Sequence, residues 1–139
     1  MTIMKNINTI KAGDIMTTDF FVCKEDFSLF LAIDKIMRRK VHSIVVVDDN
    51  GQMKDIISPT DLLKVVFLDY TDYHSMKVSD IVKKNREILY ISEDTSLSEI
   101  IKAMRTYSIS TLIVADESLK PIGIVHIKDV LKMIETILM

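Results

Sequence analysis

Apolar and polar positions follow two different periods along this chain, and the order of the periods occurs twice. A short apolar segment (FFVC, 20–23) precedes a stretch of helical spacing in the first half, and ILYI (88–91) precedes the same spacing in the second. The apolar stripes are Leu29, Ala32, Ile33 and Ile36, and then Leu97, Ile100, Ile101 and Met104. Spacing at i, i+3, i+4 and i+7 predicts a helix with one buried face.

A continuous β-branched run follows each predicted helix. SIVVVD (43–48) and TLIVAD (111–116) are typical of strands that are covered on both faces. The DDNG sequence at 48–51 indicates a hairpin, and its Asn-Gly pair suits a type I′ turn.

A second strand and a second helix complete each half. MKDII and PIGIV predict the strands, and the helices are predicted to begin at Pro59 and Ile127. The segment 67–76 has no Gly or Pro, so the helix from Pro59 is expected to extend into it. Each half therefore predicts the order β-α-β-β-α, and Ser96 with Glu99 is expected to form a capping box at the start of one helix.

The two halves are also similar residue by residue. At an offset of 68, Ile56 aligns with Ile124 and Asp61 with Asp129. Further upstream, 14–16 aligns with 80–82 at an offset of 66, so the second copy has about two extra residues near NREIL. Two copies of a unit of roughly 60 residues indicate a duplicated, pseudo-symmetric domain, because solenoids need shorter and more numerous repeats.

Composition predicts a packed soluble protein. The chain has 139 residues, 48% hydrophobic and 27% charged, which fits one ordinary domain. Its net charge of −2 argues against a nucleic-acid partner. Its apolar runs are too short for a membrane span, and its N-terminus lacks a signal-peptide run. A single cysteine, Cys23, excludes an intrachain disulfide and fits a reducing compartment, so a cytoplasmic location is expected.

Few residues suggest catalysis or metal binding. His42, His74 and His126 are dispersed without metal-ligand spacing, and three glycines are too few for a glycine-rich phosphate loop. No nucleophile–base pair is visible, so an enzyme is the least expected class and no catalytic residue is assigned. The acidic hairpin residues Asp48, Asp49, Asp116 and Glu117 leave a cation sensor as a weaker alternative.

Asp61 and Asp129 have two interpretations. In Ser58-Pro59-Thr60-Asp61, serine can cap the helix, proline suits its first position, and the aspartate faces the partial positive charge of the helix start. In the second copy His126 replaces Ser58 and is expected to be a poor cap, yet the aspartate remains. A carboxylate at such a position can accept two hydrogen bonds from a ribose diol. The second copy therefore favours a ligand-binding role.

The sequence resembles a tandem cystathionine-β-synthase (CBS) domain pair over roughly residues 11–136. The resemblance is carried by DIMT at 14–17, the E-D-x-S-L helix starts, the strands that end in Asp, and [GD]-I-[IV]-x-x-x-D. It implies an α/β (α+β) fold in which duplicated βαββα units form two small sheets packed face to face with flanking helices. The implied division is an N-terminal extension (1–10), CBS unit 1 (11–69), a connector (70–76) and CBS unit 2 (77–136), with both units in one compact module.

The resemblance also implies a regulatory module that binds an adenosine-containing ligand in clefts between the units. AMP, ADP, ATP or S-adenosylmethionine would be the ligand, and no cofactor is required. Asp61 and Asp129 would hold the ribose, with Ser58 toward phosphate. The other expected ligand residues are Thr17, Val22, His42, Ser43 and Ile44 of the first copy and Leu89, Ser110, Thr111, Leu112 and His126 of the second. Lys83-Lys84 are the counterparts of Thr17-Thr18 in the second copy. The apolar members of this set would equally suit an ordinary core.

Departures from the family pattern leave a second function open. The glycine before the last strand's apolar pair is present as Gly123 but is Asp55 in the first copy, and the extra residues Arg86-Glu87 are expected near the second cleft. The retained Ser-x-x-Asp favours the first copy as the better phosphate site. The alternative is a ligand-free dimerisation or scaffolding module with degenerate clefts. For the ligand-binding regulatory module, the expected partners are a second copy of the chain, in a homodimer, and an unknown effector protein.

Overall fold

The computed structural model describes residues 2–39, 41, 43–67, 72–82 and 88–139. The helices in these ranges are α1 (Thr2–Thr9), α2 (Ala12–Ile15), α3 (Leu29–Arg39), α4 (Pro59–Leu62), α5 (Leu97–Tyr107) and α6 (Ile127–Leu138). The strands are β1 (Phe21–Lys24), β2 (Ile44–Val47), β3 (Met53–Ile57), β4 (Tyr90–Ile91), β5 (Thr111–Ala115) and β6 (Pro121–His126). Short 3-10 helices lie at Leu63–Phe67, Tyr73–Ser75 and Val78–Asp80. The predicted β-α-β-β-α order is therefore confirmed in both halves.

The described residues belong to two compact units. We call the described part of residues 19–88 the central unit, and residues 2–18 together with 89–139 the split unit. The split unit thus combines the N-terminal segment of the chain with most of its second half.

The central unit contains a three-stranded sheet in the order β1-β2-β3. Strand β2 runs parallel to β1 and antiparallel to β3. All four residues of β2 are buried, which confirms the expectation of a strand covered on both faces. Leu29 and Ala32 of α3 pack with Ile44, Val46 and Ile57 of the sheet to form the core of this unit.

The split unit contains the equivalent sheet, β4-β5-β6, with the same strand directions. Leu97 and Ile100 of α5 pack here with Leu112 and Val114 of the sheet. Helix α1 packs against α5 and α6, and its Ile7 lies against this core. The first residues of the chain, which sequence reasoning assigned only as an N-terminal extension, therefore add a helix to the second half.

The two halves exchange their first segments. Ala12 and Gly13 donate backbone N–H groups to the carbonyls of Thr95 and Glu93, over 2.8 and 2.9 Å. In the central unit, Val78 and Ser79 donate to the carbonyls of Phe27 and Glu25, over 2.9 and 2.8 Å. Each segment thus binds to residues just before α5 or α3 of the other half. The same contact occurs twice: its donor residues repeat at an offset of 66 and its acceptor residues at an offset of 68.

The hairpin between β2 and β3 is not the predicted type I′ turn. Gly51 donates to the carbonyl of Asp48 over 3.0 Å and has a positive φ of 79°, whereas Asp49 and Asn50 do not have positive φ. This is a type I turn followed by a left-handed residue. The Asp48 carboxylate favours it by accepting the backbone N–H groups of Asn50 (2.8 Å) and Gln52 (3.0 Å).

The helices that follow the third strand of each sheet differ in length. Helix α4 ends at Leu62 and is followed by a 3-10 helix that reaches Phe67. Residues 68–71 of the segment into which it was expected to extend lie outside the described residues. The LKVVF sequence of the 3-10 helix has two adjacent valines and a phenylalanine where the equivalent residues 131–135 of α6, LKMIE, have better helix formers, and α6 continues for 12 residues. None of the helices in the described ranges is long and apolar enough to cross a membrane.

Candidate functional site

The start of α4 is closed by Ser58 and Asp61. The backbone N–H and the hydroxyl of Ser58 both donate to Oδ2 of Asp61, over 3.0 and 3.1 Å. In return, Oγ of Ser58 accepts the backbone N–H of Asp61 over 3.3 Å. The helix-cap interpretation of Ser58, with Pro59 at the first helical position, is confirmed.

The start of α6 has the same arrangement with a histidine in place of serine. The backbone N–H of His126 donates to Oδ2 of Asp129 over 2.8 Å. Nδ1 of His126 accepts the backbone N–H of Lys128 over 3.3 Å. The expectation that His126 is a poor cap is therefore wrong, because Nδ1 is attached to Cγ just as the side-chain oxygen of a capping Asn is. This role requires Nδ1 to be the unprotonated nitrogen of the ring.

The second carboxylate oxygen distinguishes the two aspartates. Oδ1 of Asp61 lies 3.6 Å from Nζ of Lys64, and the Asp61 side chain is only 21% exposed. Lys132 is the equivalent of Lys64 in the second copy. Within the described part of the chain, Oδ1 of the half-buried Asp129 has neither an ion pair nor a hydrogen bond. Asp61 thus has an ion pair with a nearby lysine, whereas Asp129 has none among the described residues.

Several predicted ligand residues meet at the start of α6. Thr111 pairs with His126 across β5 and β6, and the carbonyl of Ser110 accepts the N–H of Ile127 over 2.8 Å. Thr17 extends the same sheet, since it exchanges backbone hydrogen bonds of 2.8 and 2.9 Å with Ile124 of β6. Placing Thr17 in one unit with Ser58 and Asp61 was therefore wrong. The exchange of first segments brings it to β6, the strand that leads into the helix of Asp129.

The start of α4 has a smaller set of predicted residues beside it. Ile44 pairs with Ile57, the residue before Ser58, and Ser43 is 2% exposed next to it. Val22 of β1 lies one strand further away, where it pairs with Val45 and is 41% exposed. His42, the remaining expected residue of this set, lies outside the described residues.

Among the apolar candidates, some belong to the core and others face outward. Ile44 and Leu112 are buried in the cores of their units, whereas Leu89 is 37% exposed. Lys83-Lys84, the counterparts of Thr17-Thr18, and the extra residues Arg86-Glu87 lie outside the described residues. A ligand role for each of these positions stays a prediction.

Sequence reasoning missed one residue with a direct effect on the site. Lys64 pairs with Asp61 at the start of α4, and the Asp-x-x-Lys spacing that places them on one face was available in the sequence. The same spacing recurs as Asp129 and Lys132, so the pattern alone does not tell the two copies apart.

The hairpin acids are engaged in turns and ion pairs. Asp116 accepts the backbone N–H groups of Ser118 (2.9 Å) and Lys120 (3.0 Å), as Asp48 does in the first hairpin. Asp49 pairs with Lys24 over 3.3 Å. Among the described residues, no three His, Cys, Asp or Glu side chains are grouped so that they could hold a metal ion.

This chain is similar to a part of several longer curated proteins. It is 28% identical over 131 residues to the magnesium transporter MgtE of Thermus thermophilus, covering 90% of this chain and 27% of the transporter. It is 30% identical over 128 residues to homoserine O-acetyltransferase of Methanosalsum zhilinae, covering 92% of this chain and 25% of that protein. The chain thus spans about a quarter of the length of these curated relatives.

Solved structures share the fold over nearly the whole chain. CBSX2 in complex with AMP matches with a TM-score of 0.78 and 24% identity, covering 93% of this chain and 98% of that one. The CBS domain pair of protein MJ0100, in complex with 5′-methylthioadenosine and S-adenosyl-L-methionine, matches with a TM-score of 0.77 and 20% identity, covering 91% and 96%. The cytosolic domain of the Mg²⁺ channel MgtE in complex with ATP has a TM-score of 0.72 and 26% identity, covering 88% and 48%.

The repeats themselves match one family model twice. The model of the CBS domain matches residues 12–68 and again residues 78–136. Together with two βαββα halves and the structural neighbours, this match confirms the resemblance drawn from the sequence. The chain belongs to the CBS domain family and contains two copies of the domain.

Proposed function

We propose that this chain is a regulatory module that binds an adenosine-containing ligand, namely AMP, ADP, ATP or S-adenosylmethionine. The observation that carries the proposal is the start of α6, where a half-buried aspartate keeps one carboxylate oxygen unpaired among the described residues. Three structural neighbours, CBSX2, MJ0100 and the MgtE cytosolic domain, were solved in complex with adenosine compounds, which supports this class of ligand.

Asp129 would recognise the ribose. Its Oδ2 is held by the backbone N–H of His126, which fixes the orientation of the carboxylate and leaves Oδ1 to accept hydroxyl groups. Hydrogen bonds to a charged acceptor contribute about 1.5–3 kcal/mol each. A diol is a natural match because a carboxylate only accepts hydrogen bonds and a ribose offers two adjacent donors.

The same helix start would favour a phosphate or another anionic group nearby. The peptide dipoles of α6 give its first turn a partial positive charge, although the backbone N–H groups of Ile127 and Lys128 are themselves donated to Ser110 and His126. Lys128 is exposed in the first turn and adds a side-chain cation. A nucleotide therefore fits this environment better than an uncharged nucleoside does.

Regulation would follow from a difference in ligand affinity between two conformations. A ligand shifts a conformational equilibrium only as far as it binds one state more tightly than the other. The proposal places no bond-making or bond-breaking step in this chain, so the effect of the ligand would pass to another domain or to an effector protein.

A thermal-shift series tests the proposal directly. The protein is heated with AMP, ADP, ATP, S-adenosylmethionine and 5′-methylthioadenosine in turn. A ligand present at about 100 times its Kd raises the free energy of unfolding by about 2.7 kcal/mol, so a clear increase in Tm is expected for at least one compound. Guanosine monophosphate is the matched control. If none of the adenosine compounds raises Tm, the proposal is wrong.

A dimerisation module is the second candidate, and exposed leucines favour it. Leu63 and Leu131 occupy equivalent positions after the two aspartates and are 68% and 58% exposed. Phe67 (86%) and Leu138 (69%) extend these apolar surfaces. Light scattering after size-exclusion chromatography would detect a homodimer, which Leu131→Asp is expected to dissociate. A monomer at tens of micromolar protein would exclude this candidate.

A further inference from the structure

We propose that the two helix starts are not equivalent, and that the chain binds one adenosine ligand, at Asp129, and none at Asp61. This inference rests on the proposed function, and it specifies which of the two related positions carries it. It is opposite to the expectation from the retained Ser-x-x-Asp sequence, which favoured the first copy.

The polar groups at the start of α4 are engaged with one another and with Lys64. Ser58 has a single hydroxyl proton, and that proton is donated to Oδ2 of Asp61 over 3.1 Å. The same oxygen accepts the Ser58 backbone N–H, and the ammonium of Lys64 lies 3.6 Å from Oδ1. A ribose hydroxyl would have to compete with Lys64, and a phosphate would find no serine donor.

The start of α6 is satisfied in a different way. Its cap is the ring nitrogen of His126, which accepts a backbone N–H and donates nothing to Asp129. Asp129 therefore receives a single hydrogen bond from the described residues, at Oδ2, and Oδ1 keeps its full accepting capacity. Thr17 lies on the adjacent edge of β6, because the exchanged segment pairs it with Ile124.

Isothermal titration of the full chain with AMP, ATP and S-adenosylmethionine, each in a separate experiment, tests the inference. We expect one ligand per chain for each compound that binds. Asp129→Asn should weaken that binding about tenfold or more, because the carboxamide replaces an acceptor by a donor where the ribose hydroxyl must donate. Asp61→Asn should change the Kd less than about twofold.

Asp61→Asn is a matched control, because both substitutions weaken the same cap interaction at a helix start. The Tm of each variant without ligand shows that both are folded before they are titrated. Two ligands per chain, or equal weakening by both variants, would overturn the inference and leave the proposed function intact. Absence of binding by all three compounds and by ADP would overturn both.

Discussion

The backbone N–H of His126 and the carboxylate of Asp129 meet over 2.8 Å, and this hydrogen bond closes the first turn of α6. Ser58 and Asp61 meet in the same way over 3.0 Å, 68 residues earlier. The duplicated chain has thus kept the acidic partner of the cap and changed the residue that it pairs with. A histidine performs the role of serine at one helix start, which gives the two related ends different hydrogen-bonding properties.

Replacement of His126 should reveal its capping role. His126→Ala removes the acceptor at Nδ1 and should lower the free energy of unfolding by about 1 kcal/mol, whereas His126→Asn should retain most of it because asparagine caps well. Urea denaturation followed by circular dichroism measures both changes. If His126→Asn lowers the free energy of unfolding as much as His126→Ala does, the hydrogen bond from Lys128 contributes nothing to stability.

Gly123 should be intolerant of a side chain because Met16 lies against it. A Cβ at this position would come within 2.5 Å of Sδ and 3.2 Å of Cβ of Met16. Gly123→Ala should therefore cost about 1–3 kcal/mol, as overpacking of a core does. The cost should shrink in a Met16→Ala background, which a double-mutant cycle of urea midpoints would show.

Gly13→Ala is the control for that experiment. A Cβ on Gly13 would lie 3.4 Å from the nearest atoms of Glu93, which is ordinary contact, and the residue is in α2. Alanine favours helix, so this change should be neutral or slightly stabilising. Equal costs at Gly13 and Gly123 would show that the approach of Met16 to β6 is not what constrains Gly123.

The backbone at Leu119 should favour glycine over alanine. Its φ of 63° places it in the left-handed region, at the position that Gly51 occupies with a φ of 79° in the other hairpin. Because left-handed backbone costs an L-residue about 1 kcal/mol or more, Leu119→Gly should be more stable than Leu119→Ala by roughly that amount. Both variants lose the same side-chain contacts, so their difference in thermal unfolding reports the backbone alone. A more stable alanine variant would contradict this interpretation.

Cys23 should react slowly with thiol reagents in the folded protein. Burial first, and the nearby charge of Asp26 second, raise the pKa of its thiol from 9.0 to about 11. At pH 8 little of the reactive thiolate is present, and the side chain is only 7% exposed. Modification by a chromogenic disulfide should therefore be much slower in buffer than in urea. Equal rates in the two conditions would contradict the burial of Cys23.

The same pKa predicts how stability depends on pH. Between pH 9.0 and about 11 the unfolded thiol is ionised while the folded thiol keeps its proton, so the unfolded state binds fewer protons. This contribution to the free energy of unfolding is complete below pH 9 and is lost as the pH rises toward 11. Cys23→Ala should show a shallower decrease over this range in urea titrations at a series of pH values.

Much of the fold was predictable because it is encoded locally. The stripe from Leu29 to Ile36 fixes the buried face of α3, and the β-branched run at 44–47 fixes a strand buried on both sides. The start of α4 was predictable from Ser58 and Pro59 because capping depends on neighbouring residues only. The turn at Asp48 was mistaken because Asn-Gly permits several hairpin turns, and the aspartate selects among them through its own hydrogen bonds.

The amino-acid sequence by itself determined the duplicated β-α-β-β-α order, the helix starts and the two aspartates, because hydrophobic period and capping are properties of short segments. Only the tertiary structure decided that Thr17 pairs with β6 and not with β3. Two sheets of the same strand order offer similar edges to the segment that holds Thr17, and local pattern cannot choose between them. The choice depends on packing between distant residues: Gly123 leaves room for Met16 beside β6, whereas the equivalent position in β3 is the larger, buried Asp55.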